Sequence, residues 1–261
     1  MNKDAIIKTA HAMADAARAV ILPYFRTDDL SADNKSAVGF DPVTAADRAA
    51  ERAMIEVLRA HRPEDAVLGE EFGEIAGTSG LTWVLDPVDG TRAFLSGTPT
   101  WGVLIAVRDQ DGPIYGLIDQ PYIGERFEGG FGLSRMTGPH GGRMLRVRGG
   151  RPLSQAILFS TFPEVGAPDE AAAFGRVAQA VQLVRYGMDC YAYALLAAGQ
   201  IDLVIEAGLQ AYDIQAPIAV IEAAGGIVTD WNGGPAHEGG RVLAAAGHAQ
   251  HAAALSLLAK I

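Results

Sequence analysis

Cysteine and long apolar runs are both scarce in this sequence. Its 261 residues include one cysteine, Cys190, which excludes an intrachain disulfide and fits a reducing compartment. No apolar run approaches the ~20 residues needed to span a bilayer. The alanine-rich N-terminal segment is interrupted by His11, Asp15 and Arg18, which argues against a signal peptide. These absences predict a cytoplasmic protein without a membrane partner.

Basic residues are outnumbered by acidic ones. The chain has 21 Lys and Arg against 31 Asp and Glu, which gives a net charge of −10. A basic face for nucleic acid is therefore not expected, so no nucleic-acid partner is predicted. The arginines of residues 143–151 alternate with apolar residues, and this pattern predicts a strand with one solvated face.

What the sequence does contain is a regular order of helices and strands. Residues 1–150 predict two helices, over 4–25 and 44–61, followed by a mainly antiparallel sheet. In residues 151–261 strands alternate with helices, which is typical of an α/β arrangement. No low-complexity linker separates the halves, so a single domain over 1–261 is predicted. Hydrophobic residues make up 49% of the chain, enough for a large core.

The stretch WVLDPVDGTRAF, residues 83–94, places acids where a predicted strand ends. Pro87 fixes its own φ and favours a turn after Asp86. Asp86 and Asp89 can then converge on one side of the turn, with the Val88 carbonyl between them. Three hard oxygens in one loop are the ligands that Mg²⁺ or Ca²⁺ prefers.

A predicted anion site follows directly. Gly90 and Thr91 begin a short helical segment, and backbone N–H groups at a helix N-terminus bind phosphate. Cations between the acids and a phosphate would remove their repulsion and suit phosphoryl chemistry. Acids also lie at the ends of neighbouring elements, each with a plain structural alternative. Thr44 and Asp47 have the spacing of a capping box, Asp213 can be a helix N-cap, and Glu70 can end a solvated strand.

Four segments together resemble the inositol monophosphatase family. They are DPVTAADR at 41–48, GEE at 69–71, DPVDGT at 86–91 and YDIQAPIAVIEAAGG at 212–226, in the family's order and at matching intervals. The resemblance implies an α/β (α+β) fold, a layered αβαβα sandwich of the inositol monophosphatase and fructose-1,6-bisphosphatase type. It also implies a Mg²⁺-dependent phosphomonoesterase that acts on a small phosphorylated substrate as a homodimer.

The resemblance also assigns roles to residues. It implies two or three Mg²⁺ ions, with Mn²⁺ as a substitute, held by Glu70, Asp86, the Val88 carbonyl, Asp89 and Asp213. Asp47 and Thr91 match the pair that orients the attacking water, and Glu70 is grouped with them as catalytic. Gly90 and Thr91 match the phosphate cradle, and Lys35 matches a loop lysine near the metals. The sequence departs from the family's pattern at Tyr212, Gln215 and Pro217.

Within the family, residues 89–107 and 185–199 are most similar to the histidinol-phosphate phosphatases. Histidinol carries an ammonium and an imidazole, so its pocket should contain carboxylates, and Asp189 and Glu206 are the candidates. Arg92 is a candidate for contact with the phosphate or with Asp189. The plain alternatives are that Asp189 is a helix N-cap and that Arg92 forms a surface salt bridge.

The sequence therefore predicts hydrolysis of L-histidinol phosphate to L-histidinol and phosphate by water that Mg²⁺ activates. Two alternatives stay open: an inositol-1-phosphate phosphatase and a broad-specificity phosphatase of the same family. A metal-loaded protein without turnover would lack Asp47, Thr91 or a metal aspartate, and all of them are present.

Overall fold

A computed structural model of the chain describes residues 1–27, 32–34 and 42–259. Within this part of the chain, none of the helices is long and apolar enough to cross a membrane. The helices are α1 Lys3–Ile21, α2 Ala45–His61, α3 Thr91–Leu95, α4 Pro168–Ala178, α5 Asp189–Ala197, α6 Ala211–Ala223 and α7 His248–Leu258, with a 3₁₀ turn at Leu153–Gln155.

The strands form two large sheets and one short ribbon. Their bounds are β1 Ala32–Asn34, β2 Pro42–Thr44, β3 Ala66–Gly69, β4 Gly73–Ile75, β5 Thr82–Asp89, β6 Gly102–Arg108, β7 Pro113–Gln120, β8 Glu125–Gly130, β9 Leu133–Thr137, β10 Arg143–Met144, β11 Ile157–Ser160, β12 Leu183–Tyr186, β13 Leu203–Leu209, β14 Ile227–Asp230 and β15 Gly240–Ala245. The first sheet has the order β10-β9-β8-β7-β6-β5-β3-β4, the second the order β12-β11-β13-β15-β14, and β1 pairs with β2. The first sheet is antiparallel except where β3 runs parallel to β5, which confirms the predicted mainly antiparallel half.

The side chains of β5 alternate between two cores, as the two-residue period of a strand requires. Trp83 and Leu85 pack into an outer core with the apolar faces of α1 and α2. Val84 packs into an inner core with α5 and α6, which Val204 and Val242 of the second sheet close from the other side. The two central helices are therefore enclosed between the two sheets.

A third core lies on the far face of the second sheet. Leu203 and Ile205 of β13 pack there against Phe174 of α4 and Leu258 of α7. The layers thus run helices, sheet, helices, sheet, helices, so the predicted αβαβα order is confirmed.

Two predicted elements differ from the structure. Helix α1 ends at Ile21 instead of continuing to residue 25, because Pro23 has no N–H for a helical hydrogen bond. The predicted strand over 143–151 is wrong beyond Met144, where β10 ends. There the chain crosses towards the second sheet, and the Val147 N–H donates to the Ala224 carbonyl at 3.0 Å instead of joining a ladder.

Candidate active site

The acidic motif of β5 forms a bulge in the strand, not the turn that the sequence predicts. Asp86 lies opposite Leu104 and Asp89 opposite Gly102, so the β5–β6 register shifts between the two acids. Pro87 has no N–H to give to the ladder, which places it naturally in a bulge. The Val88 N–H instead donates to Asp86 Oδ1 at 3.0 Å. The bulge therefore replaces a ladder bond with a local hydrogen bond from the backbone to the Asp86 side chain.

This bulge brings three carboxylates together. Asp86, Asp89 and Asp213 each offer one carboxylate oxygen, and these three oxygens lie within 4.8 Å of one another. Asp213 lies in the first turn of α6. The N-cap of α6 is Gln210, so the N-cap alternative for Asp213 is wrong. Asp213 instead belongs to a capping box, in which its Oδ2 accepts the Gln210 N–H at 2.7 Å.

The electrostatics of this cluster favour a bound cation. Burial, followed by the charges of Glu70, Asp89 and Asp213, raises the pKa of Asp86 well above its ordinary value. Burial and the neighbouring carboxylates do the same to the pKa of Asp89. A divalent cation would reverse these shifts by neutralising the repulsion. Hard carboxylate oxygens in a buried group fit Mg²⁺ by both charge and donor type.

Glu70 reaches this region from the turn after β3. Its N–H donates to the Leu85 carbonyl at 3.2 Å, directly before Asp86. The next two residues of the turn are held by Glu51 of α2, whose carboxylate accepts the N–H groups of Glu71 at 2.8 Å and Phe72 at 2.9 Å. Sequence reasoning missed Glu51. The available signal was its position four residues after Asp47, on the same face of one helix.

Asp47 connects the start of α2 to the residue after the acidic motif. Its Oδ2 accepts the Thr44 N–H at 3.0 Å and also the Thr44 hydroxyl, which completes the predicted capping box. Its Oδ1 lies 3.3 Å from Thr91 Oγ1, which is also 3.1 Å from the Val88 carbonyl oxygen. Burial raises the pKa of Asp47. One carboxylate therefore caps a helix and contacts Thr91 at the same time.

Gly90 and Asp189 are in close contact, and this contact explains the glycine. Gly90 has φ +84°, and a Cβ there would lie 2.7 Å from Asp189 Cγ. Asp189 itself has φ +46°, a left-handed conformation that costs on the order of 1 kcal/mol outside glycine. Its Oδ2 accepts the Thr100 hydroxyl at 2.7 Å. The N-cap position of α5 belongs to Met188, so the N-cap alternative for Asp189 is wrong.

A cleft of ≈ 290 Å³ extends from the acidic cluster. Glu206 is buried in its wall, where its Oε1 accepts the Thr161 N–H at 2.8 Å and hydroxyl at 2.9 Å. Burial raises the pKa of Glu206 to about 8. The Arg92 guanidinium lies 4.9 Å from the ring centroid of Phe162, a half-exposed residue in the same wall. Thr161, Phe162 and a further lining residue, Tyr193, were not predicted from the sequence.

The other sequence candidates lie at the edge of the site or outside it. Lys35 falls outside the described residues. Cys190 is buried, and its N–H donates to Asp89 Oδ2 at 2.6 Å, so its backbone, through a hydrogen bond, supports a carboxylate of the cluster. Gln215 is buried and donates through Nε2 to the His237 carbonyl at 2.9 Å, and Pro217 lies inside α6. Neither of these two departures from the family pattern lines the cleft.

Comparison with known proteins identifies the family. The model of the inositol monophosphatase family matches residues 2–261. An inositol monophosphatase from Zymomonas mobilis has a similar structure, with a TM-score of 0.87, 37% identity and 99% of each chain covered, which confirms the predicted sandwich type.

Curated relatives agree with this assignment. A bifunctional phosphatase of Arabidopsis thaliana, IMPL2, is 42% identical over 234 residues, or 88% of this chain, which spans 65% of that protein. The histidinol-phosphatase of Streptomyces coelicolor is 34% identical over 254 residues and 92% of both chains. As its motifs predicted, the chain belongs to the inositol monophosphatase family, a family of metal-dependent phosphatases.

Proposed function

We propose that this chain hydrolyses L-histidinol phosphate to L-histidinol and phosphate in a Mg²⁺-dependent reaction. The observation that carries the proposal is the position of two further carboxylates, Asp189 and Glu206, in the cleft beside the acidic cluster. Inositol is neutral, whereas histidinol brings an ammonium and an imidazole. Buried carboxylates are costly unless a cationic partner meets them, so this cleft suits a cationic alcohol.

The metal would be held where the carboxylates converge. Asp86, Asp89 and Asp213 offer oxygens within 4.8 Å of one another, and we assign Glu70 and the Val88 carbonyl to the same site. Two or three Mg²⁺ ions, with Mn²⁺ as a substitute, fit the donor type. When bound, such ions supply Lewis-acid charge on the phosphate and activate water for attack.

We assign to Asp47 and Thr91 the orientation of the attacking water and the acceptance of its proton. A carbonyl that binds a cation is a poorer acceptor, so the Thr91 hydroxyl hydrogen would then turn from Val88 to Asp47 Oδ1, 3.3 Å away. This leaves the lone pairs of the Thr91 oxygen to accept a hydrogen from water. The raised pKa of Asp47 makes it a stronger base than a solvated carboxylate.

The phosphate itself would lie between the acidic cluster and the start of α3. Gly90 and Thr91 both line the cleft there, and so does Arg92. We assign the two backbone N–H groups and the Arg92 guanidinium to the phosphate oxygens, since guanidinium is suited to phosphate by charge and by geometry. The ring of Phe162 beneath the guanidinium would hold it over the cleft.

The test is phosphate release from a panel of esters, with and without EDTA. Wild-type protein should require Mg²⁺ or Mn²⁺ and prefer histidinol phosphate. Asp189→Asn and Glu206→Gln should each lower kcat/KM on histidinol phosphate about tenfold to a hundredfold, the value of one charged hydrogen bond. Both variants should leave kcat/KM on glycerol 2-phosphate within about twofold of wild type, because that ester has no cationic group for the two carboxylates to bind.

A matched control is available in Glu222→Gln. Glu222 is another glutamate with a raised pKa, but it is exposed and lines a different cavity, so this variant should not change the ratio between the two esters. Equal losses on both esters in Asp189→Asn and Glu206→Gln would refute a role in substrate selection. Preference for inositol 1-phosphate would establish the alternative that similarity to the Zymomonas mobilis protein supports. The single domain over 1–261, the homodimer and the cytoplasmic location stay predictions.

A further inference from the structure

Tyr193 is a buried tyrosine whose hydroxyl has no hydrogen-bond partner among the described residues. It lies on α5, its side chain is buried, and it lines the cleft together with Asp189 and Glu206. A buried hydroxyl without a partner has lost its hydrogen bonds to water and gained none in return. Phenylalanine would fill almost the same volume without that cost. The polar atom therefore calls for a ligand as its partner.

Two other tyrosines show the ordinary arrangement. The hydroxyl of Tyr115 donates to Glu128 at 2.8 Å, and that of Tyr191 donates to Glu125 at 2.7 Å. Tyr191 lies on the same helix as Tyr193, two residues earlier and thus on a nearly opposite face. It does not line the cleft. The unpartnered hydroxyl is thus found where the helix faces the cleft.

The surroundings of Tyr193 are anionic. Burial, followed by the charges of Glu206, Asp89 and Asp213, raises the pKa of its hydroxyl well above the ordinary value. Asp189 and Glu206 in the same cleft wall favour a cationic group there. The lone pairs of the Tyr193 oxygen can accept a hydrogen bond from an N–H donor of such a group.

We propose that the Tyr193 hydroxyl accepts a hydrogen bond from the ammonium group of the substrate and so selects amino-alcohol phosphates. The inference rests on the proposed function of this cleft and adds a neutral contact to its two acidic ones. An alkylammonium has three N–H donors. Asp189, Glu206 and Tyr193 provide three acceptors in one cleft wall. Tyr193→Phe would remove this hydrogen bond without changing the charge of the site.

The test uses two small esters that differ only in the ammonium. Both 2-aminoethyl phosphate and ethyl phosphate would be measured as competitive inhibitors of the ester that the Mg²⁺-loaded protein hydrolyses most readily. Wild type should bind 2-aminoethyl phosphate more tightly. Tyr193→Phe should weaken that ester about tenfold, as for one charged hydrogen bond, and change ethyl phosphate less than about twofold. Tyr191→Phe, the matched control, should leave the ratio of the two inhibition constants unchanged.

Thermal unfolding without ligand separates this role from a structural one. Tyr193→Phe should unfold at the same temperature as wild type or higher, because it removes an unpartnered polar atom. Tyr191→Phe should unfold at a lower temperature, because it removes a hydrogen bond. An unchanged ratio of inhibition constants in Tyr193→Phe, or equal binding of the two esters by wild type, would overturn the inference. Failure of wild type to prefer histidinol phosphate would instead count against the proposed function, since the ester pair tests the ammonium contact alone.

Discussion

Glu51 lies beneath the turn that carries Glu70, so replacing it tests whether α2 positions a ligand of the proposed metal site. Its carboxylate is fully buried and accepts two backbone N–H groups of that turn, at 2.8 and 2.9 Å. The packing is close: a Cβ on Gly69 would lie 1.9 Å from Glu51 Oε1. The informative substitution is Glu51→Gln, which keeps the size of the side chain and replaces one acceptor oxygen by an amino group.

The expected cost follows from those two bonds. The glutamine oxygen can accept one of the N–H groups, whereas its amino group, a donor, faces the other. One N–H then loses its partner, which lowers the free energy of unfolding by about 1 kcal/mol, or more where water does not reach it. For a chain of this size that is a fall in Tm of about 3 °C for each kcal/mol. Displacement of the turn should also raise the half-saturating Mg²⁺ concentration about tenfold to a hundredfold, as for other residues that orient ligands.

The assay combines thermal unfolding with a Mg²⁺ titration of phosphate release. Glu56→Gln is the control, because Glu56 is exposed on the same helix and its loss should stay within about 0.5 kcal/mol. If Glu51→Gln has the Tm and the half-saturating Mg²⁺ concentration of wild type, Glu51 does not position the turn that carries Glu70. A lower Tm with an unchanged Mg²⁺ requirement would leave Glu51 a structural role and refute its effect on Glu70.

Two further predictions concern proton transfer and pH. Asp47→Asn and Thr91→Ala should each lower kcat more than about 100-fold, the lower range for a lost proton-transfer partner. Phosphate release at saturating Mg²⁺ measures this change. Near-normal turnover in either variant would contradict the assigned role. Because the pKa of Glu206 is raised to about 8, its protonated form favours folding, and this contribution is present below about pH 4.5 and lost as pH rises through about 8. Glu206→Gln should therefore raise the Tm of the ligand-free protein more at about pH 9 than at about pH 5, and a gain that is independent of pH would show that Glu206 titrates normally.

Local signals in the sequence were sufficient where the physics is local. Proline and glycine chemistry placed Asp86, Asp89 and Gly90 in one irregular segment, and the spacing of Thr44 and Asp47 predicted a capping box that the structure confirms. The same reasoning could not predict that the motif forms a bulge. A turn and a bulge share residue preferences, and only the paired strand β6 distinguishes them.

Contacts between distant segments were beyond the sequence. Asp189 has the residue type of an N-cap, but its side chain meets Thr100 and Gly90, so tertiary contact decides its conformation. The spacing of Glu51 from Asp47 indicates a shared helix face, but it does not indicate that Glu51 meets a turn some twenty residues later. The arginines of residues 143–151 alternate with apolar residues as in a strand, yet Arg148 lies beyond the end of β10 and donates to the buried carboxylate of Asp202. In each case the partner is set by how the layers pack.

The same packing explains how an acidic cluster can persist in a folded core. Asp86 and Asp89 are held opposite β6, and Asp213 is held by the capping box of α6, so repulsion cannot drive the three apart without breaking secondary structure. Each of the three accepts a backbone N–H, from Val88, Cys190 and Gln210 in turn, which offsets part of the burial cost. The remaining cost of burying these charges is reflected in the raised pKa values of Asp86 and Asp89. A divalent cation bound at the proposed site would remove this repulsion. Binding of the metal would then stabilise the fold, so metal affinity and stability would be linked.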